Sequence, residues 1–220
     1  MFIGLLGGSF NPIHNGHLHI ANYVYNTLAL NRVIFIPTGD PPHKSAESLA
    51  PAHHRLAMVK LATEPHKSFV VDDREARSST VSYSVDTVSQ LKKEFPRGTE
   101  LGFIIGLDAF LDLQSWKQAT HLLDNCHVIV CSRPGVTFTQ LQSMPLLPPI
   151  PQPSLYNLNK QNISRLDISL PSGSSVTLLS IPPCEVSASY IRQQVALKRP
   201  IGHWLPPTVE SYIIQHQLYR

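Results

Sequence analysis

The chain is short of charge. Only 15% of its 220 residues are Asp, Glu, Lys or Arg, well below the usual quarter of a soluble protein. Its 18 Lys and Arg exceed its 15 Asp and Glu by a formal +3, too mild for the one-sided basic face of a nucleic-acid binder. Long apolar runs are missing too, and none approaches the roughly 18 residues of a membrane span. Met1 to Gly8 has no basic region and reaches paired glycines at once, which argues against a signal peptide. Cysteine is scarce. Cys126, Cys131 and Cys184 cannot all pair within one chain and match no metal or redox spacing. They read as reduced and mostly buried, in a cytoplasmic protein.

The rest is compatible with a compact fold. Hydrophobic residues make up 42% of a 24.5 kDa chain, enough to bury a real core. Short apolar runs alternate with helix-like segments. Phe2 to Leu6, Arg32 to Pro37, Ser68 to Asp72, Leu101 to Gly106, His127 to Ser132 and Val176 to Ile181 read as strands. Most are continuously apolar, as in strands covered on both faces. Gly16 to Leu30, Pro51 to Thr63, Ser84 to Phe95, Ser115 to Asn125, Ser187 to Leu197 and Pro207 to Leu218 read as helices. The alternation predicts an α/β fold, a doubly wound parallel sheet in a single domain over residues 1–220. One stretch breaks the rhythm: nine of the 19 prolines lie between Pro134 and Pro183, five of them from Pro145 to Pro153. Proline this dense neither continues a helix nor donates to a ladder. Residues 136–175 therefore read as a Pro-rich loop insertion, either a partly ordered flap or disordered.

The strongest local signal is Gly7-Gly8-Ser9-Phe10-Asn11-Pro12-Ile13-His14-Asn15-Gly16-His17, directly after the first strand. Paired glycines allow a tight turn and close backbone approach to a ligand. N–H groups of the turn and of the following helix would then face an anion. The segment matches neither the dinucleotide pattern nor the P-loop. His14 and His17, three apart, share one helix face and can both donate to phosphate oxygens. Two surface imidazoles capping a helix are the plainer reading, and a zinc pair lacks a third ligand nearby in sequence.

These residues resemble the signature of the nucleotidyltransferase superfamily with the H-x-G-H motif. Further segments occur in the same order: Asp40-Pro41-Pro42-His43-Lys44, Ser82-Tyr83-Ser84, Phe103 to Asp108, Trp116, Ser132 to Gly135, and Val186 to Arg192. Together they look like the bacterial nicotinate-nucleotide adenylyltransferases, from Met1 to Gly135 and again from Val186 onward. Ser84 and Ser189 stand where Thr is usual, and Asn11 replaces the commoner Asp. The resemblance implies a Rossmann-like fold and adenylyl transfer from ATP to nicotinate mononucleotide, giving deamido-NAD and pyrophosphate in NAD biosynthesis. By the same resemblance, Gly7, Gly8, Ser9, Phe10, His14, Gly16, His17, Gly106, Asp108, Ser187, Ser189 and Arg192 would bind ATP. Asn11, His43, Lys44, Ser82, Tyr83, Ser84, Trp116 and Arg133 would bind the acceptor, and His14, His17, Lys44 and Arg192 would carry catalysis.

Each assignment has a plain competitor. Ser187 is suited to cap a helix, and Arg192 beyond it is as often solvated as bound to phosphate. Asp108 ends a strand, where α/β folds place ligand contacts, yet it could simply cap a helix. Trp116 and Tyr83 could stack on a pyridine ring or belong to the core. Mg²⁺ is expected to arrive with ATP, held by phosphates and water without a carboxylate cage. No nucleic-acid or membrane partner is expected, and homo-oligomerisation stays open. An adenylyltransferase for nicotinamide mononucleotide or pantetheine phosphate is the nearest rival function. A non-catalytic nucleotide sensor is the rival from another class, disfavoured by the intact His14, His17 and Arg192.

Overall fold

The computed structural model describes residues 1–39 and 49–220. Its strands are β1 (Phe2–Gly8), β2 (Arg32–Pro37), β3 (Phe69–Val71), β4 (Glu100–Gly106), β5 (His127–Cys131), β6 (Arg165–Ser169) and β7 (Ser175–Leu179). Its α-helices are α1 (Asn15–Thr27), α2 (Ala52–Thr63), α3 (Ser84–Glu94), α4 (Leu107–Leu111), α5 (Ala119–Asn125), α6 (Gln152–Asn159), α7 (Ala188–Ala196) and α8 (Pro207–Gln215). The strands form a seven-stranded sheet in the order β3-β2-β1-β4-β5-β7-β6. Its first five positions follow the 3-2-1-4-5 order of Rossmann-type α/β folds. The β2–β3, β4–β5 and β5–β7 pairs are parallel, and β6 joins β7 antiparallel.

Two compact units divide the described chain: Met1–Leu5 with Tyr83–Pro183, and Leu6–Ser82 with Cys184–Arg220. In the first, Leu101–Ile105, Val128–Cys131 and Val176–Leu179 are continuous buried runs. That is why these strands read as almost unbroken apolar segments, with Thr177 the one polar side chain among them. Helix α3 turns Val85, Val88 and Leu91 inward, and Lys92 Nζ donates to the carbonyl of Asn125 at the end of α5, 2.8 Å away. The buried Cys126 and Cys131 belong here, and burial pushes both thiols up to about 12.

The second unit is built around Val33–Pro37 of β2, all buried. Helix α2 faces the core with Arg55, Met58, Val59 and Ala62, the i, i+3, i+4, i+7 stripe of an amphipathic helix with an arginine in its first place. Helix α8 packs against α2, where His54 Nδ1 and the Tyr212 hydroxyl are 2.9 Å apart. Cys184 is half-buried here.

Four helices end alike. At Ala29, Gln161, Lys198 and Gln217 the backbone is left-handed, with φ of 49°, 58°, 54° and 53°. In each case that residue's amide bonds the carbonyl three back, and the next amide reaches the carbonyl five before it. This is the Schellman arrangement, here without the glycine that usually supplies it.

Three expectations need correcting. Residues 136–175 are no loop: they hold a 3-10 turn (Phe138–Ser143), helix α6, strand β6 and the first residue of β7. Phe138, Leu141, Met144, Ile150, Leu155, Leu158, Ile168 and Leu170 are all buried. The prolines sit where they do no harm, with Pro151 capping α6 and a proline in its first turn. Strand β6 carries no apolar signature because it is an edge strand. Its Arg165, Asp167 and Ser169 are exposed and only Ile168 is buried, a charged edge of the kind that blunts aggregation. The helix expected from Ser115 begins at Ala119, because Gln118 is left-handed at φ 50°. Finally, Gly7 and Gly8 do not turn the chain but finish β1. The turn comes at Phe10, a non-glycine residue at φ 43°.

Candidate active-site residues

In the second unit the end of β1 runs directly into α1. Phe10 is 2% exposed, and its ring lies against Gly8, where an added Cβ would come within 3.3 Å of it. The same ring meets His17 edge-on at 5.0 Å. His14 caps α1 and is itself buried. Its ring stacks on that of His17, with centroids 3.7 Å apart and planes 26° from parallel. The His14 amide donates to His17 Nδ1 at 3.2 Å. An accepting Nδ1 fixes the tautomer and puts the neutral ring's proton on Nε2. His17 is thereby set as a donor, the state that suits a phosphate oxygen.

Gly16 has no room for a side chain. A Cβ there would stand 2.8 Å from Val186 Cγ1 and 3.0 Å from His14 Nδ1. This contact brings the starts of α1 and α7 together, and the Asn15 amide adds a 2.9 Å bond to the Trp204 carbonyl. Ser187 caps α7 through its hydroxyl, which accepts from the Tyr190 amide at 3.2 Å. One turn on, Arg192 donates from Nη1 to the Asn11 carbonyl at 2.8 Å and from Nη2 to Ser189 Oγ at 3.3 Å. Two helix N-termini, two imidazoles and a guanidinium thus meet beside one turn, an array suited to a polyanion.

Two residues shape that turn without any warning from sequence motifs. Arg55 is 1% exposed and donates to the carbonyls of Ala50 (2.9 Å), Ser9 (2.8 Å), Thr38 (2.5 Å) and Gly39 (2.6 Å). An arginine in the apolar stripe of α2 was its one available signal. Tyr219 donates its hydroxyl to Asn11 Oδ1 at 2.8 Å, the oxygen that also accepts from the Ala50 amide at 3.0 Å. Burial pushes the Tyr219 phenol well above its ordinary range, although Arg192 and Arg55 pull the other way. Asn11 is 4% exposed, so its side chain serves the turn before any ligand. Ser82 closes this unit's first segment, half-buried. His43 and Lys44 lie outside the described residues.

The first unit gathers the other predicted residues in two places. Gly106 and Cys131 are partners at the ends of β4 and β5. Beyond them Arg133 Nε pairs with Asp108 Oδ2 at 3.4 Å, both about half exposed. A Cβ on Gly106 would sit 2.5 Å from Asp108 Oδ1. Elsewhere Tyr83 and Ser84 open α3, whose start carries no side-chain cap. Lys117 Nζ lies 4.4 Å over the Tyr83 ring and 2.8 Å from Asp86 Oδ2 in the first turn of α3. Trp116 is half-buried just after a 3-10 turn, edge-on to Phe103 at 6.2 Å. Lys117 is a third residue that no motif announced.

The cytidylyltransferase-like family model matches residues 5–194. A probable nicotinate-nucleotide adenylyltransferase of Geobacter metallireducens is 40% identical over 219 residues, spanning 100% of this chain and 98% of that protein. The chain belongs to the nicotinate-nucleotide adenylyltransferase family. Family membership extends to a Dehalococcoides mccartyi relative, also called a probable nicotinate-nucleotide adenylyltransferase, 37% identical over 98% of this chain and 96% of its own. The fold matches the nicotinic acid mononucleotide adenylyltransferase of Plasmodium falciparum, solved with NaAD, at a TM-score of 0.73. That likeness covers 99% of this chain and 97% of the other at 20% identity.

Proposed function

We propose that this adenylyltransferase-family protein joins ATP to nicotinate mononucleotide, releasing pyrophosphate and forming deamido-NAD. The observation that carries the reading is the stacked His14–His17 pair, wedged against Gly16 at the start of α1, with Arg192 anchored on the same turn. A phosphate monoester has its second pKa near about 6, so the acceptor is already an anion and needs no general base. The protein's work is to align two polyanions and neutralise charge on the departing pyrophosphate.

Within that reading the N–H groups around Gly7, Gly8, Ser9 and Phe10, the His17 Nε2 proton, His14 and Arg192 serve the ATP phosphates. Ser187 and Ser189 line the α7 side of the nucleotide. Asp108 beside Gly106 accepts from the adenosine ribose, and its partner Arg133 serves the acceptor. Asn11 Oδ1 is committed to Ala50 and Tyr219, so its part in holding the acceptor rests on the sequence resemblance. The roles of His43 and Lys44 toward phosphate rest on the sequence resemblance. Among the described residues no three His, Cys, Asp or Glu side chains gather closely enough to hold a metal ion. In this reading ATP enters as its magnesium complex, with the ion held by phosphates and water as part of the substrate. Among the described residues no helix is long and apolar enough to cross a membrane. Both substrates of this reaction are small soluble nucleotides, and that is what points to the cytoplasm.

Ser82, Tyr83, Ser84 and Trp116 form the pyridine end in this reading. Uncapped N–H groups at the start of α3 favour a carboxylate by about 0.3–2 kcal/mol, before hydrogen bonds add to it. Asp86 would oppose that, but Lys117 is paired with it. The expected result is a preference for nicotinate over nicotinamide mononucleotide of at least about 10² in kcat/KM, or about 2.7 kcal/mol. Pyrophosphate release from ATP with a panel of phosphorylated acceptors tests this directly. Equal rates with both mononucleotides would overturn the pocket assignment. Release driven best by pantetheine phosphate would overturn the acceptor.

A further inference from the structure

Arg192 has a long, rotamer-rich side chain, yet two hydrogen bonds hold it. One goes to Ser189 Oγ on its own helix and the other to the main-chain carbonyl of Asn11. A guanidinium carries five N–H donors, and these two bonds leave the rest to point at a ligand from a defined position. The definition is only as good as the carbonyl. Asn11 follows a left-handed Phe10 and belongs to a turn rather than to a helix or strand, so regular secondary structure does not hold it.

The Asn11 side chain supplies that hold. Its Oδ1 accepts from the Ala50 amide and from the Tyr219 hydroxyl. Because a backbone N–H can only donate, the shared atom must be the amide oxygen, and the phenol must be the donor. Tyr219 reaches it by a deliberate route. Helix α8 ends in the Schellman turn at Gln217, and Tyr219 is again left-handed at φ 65°, a conformation L-residues seldom adopt. Burial keeps its phenol protonated far above neutral pH, so the donor persists across the working range.

From this geometry we infer that Tyr219 is a positioning residue for adenylyl transfer, fixing through Asn11 the carbonyl on which Arg192 is registered. The inference rests on the reading of Arg192 as a phosphate ligand. Tyr219→Phe removes one hydroxyl and leaves the ring. Displacements on the 1 Å scale can cost up to about 10² in rate. The expected result is a kcat lower by about tenfold, with KM for nicotinate mononucleotide within about twofold of the parent.

The discriminating comparison is the same change in an Arg192→Ala background. If Tyr219 acts through Arg192, the second change should then alter kcat by less than about twofold, a strong departure from additivity. Unchanged kcat in Tyr219→Phe overturns the inference, and so does an equal tenfold loss with and without Arg192, which a merely structural role would give. The four proteins are also titrated with α,β-methylene ATP. Weakening by about fivefold in Tyr219→Phe, absent when Arg192 is already Ala, supports the linkage by equilibrium binding alone. Additive weakening overturns it. Coupling in binding together with no nicotinate-dependent turnover in the parent would support the Tyr219–Arg192 link and reject the assigned acceptor.

Discussion

Replacing Gly16 by Ala sets two measurable effects against each other. In a helix, Ala is favoured over Gly by about 0.8–1.0 kcal/mol, and Gly16 is the second residue of α1. Against that, the new methyl would lie 2.8 Å from Val186 Cγ1 and 3.0–3.1 Å from two atoms of the His14 ring. Neither neighbour yields easily. Val is stiff at χ1, and the His14 ring is buried and stacked on His17. Overpacking of this kind costs about 1–3 kcal/mol, and because neither neighbour yields, the upper part of that range applies and the net loss should reach about 2 kcal/mol. Urea denaturation should show that loss as a lower midpoint at unchanged slope. Turnover should fall by about 10–10² because the His14 ring is displaced from its stacked position. Adding Val186→Ala should return most of the stability, since it removes the 2.8 Å contact, but little of the activity, since the histidine contact persists. A Gly16→Ala protein more stable than its parent, with full turnover, would refute the reasoning.

Other outcomes follow from the same contacts. His17→Ala should lower kcat by about 10²–10³ while the circular dichroism spectrum and melting curve stay near those of the parent; near-normal turnover in the folded variant would sink the role of His17. Replacing Pro145 to Pro153 with a short Gly/Ser linker should destabilise the protein by about 2–4 kcal/mol, because it deletes the buried Ile150 and the start of α6. A melt unchanged by that replacement would show the segment to be dispensable. Gln161→Gly at the end of α6 should raise stability by about 1 kcal/mol, since the left-handed conformation costs other L-residues about 1–2 kcal/mol. Thermal melts read this directly, and a lower melting temperature would contradict it.

Much of the fold can be read along the chain because its strands are buried on both faces. Val128 to Cys131 is apolar without interruption and Val176 to Leu179 is broken only by Thr177, though both are buried throughout. Strand β6 hides for the opposite reason: at an edge, Arg165 and Asp167 face water and pair with each other, so the segment reads as polar loop. The His14–Gly16–His17 cluster is legible since all its parts lie within one turn of helix. Arg55 and Tyr219 are not, because their partners are main-chain carbonyls and an amide up to 208 residues away. A residue that grips backbone leaves no pattern in side-chain spacing. The glycine pair misleads in a third way. The small size of Gly8 makes room for the Phe10 ring, and the turn itself falls on Phe10, a residue type that gives no hint of a left-handed backbone.

The unequal surroundings of the three cysteines have a practical side. Cys126 and Cys131 are shut in the core with thiols raised to about 12, so near neutral pH they present almost no thiolate to an alkylating reagent. Cys184 is the partly accessible one. It stands two residues before Val186, whose methyl fills the space denied to a side chain on Gly16. A maleimide dye should therefore attach at a single position in the unmodified chain. The fluorophore would sit beside the junction of α1 and α7, where its emission would report nucleotide binding without any engineered cysteine.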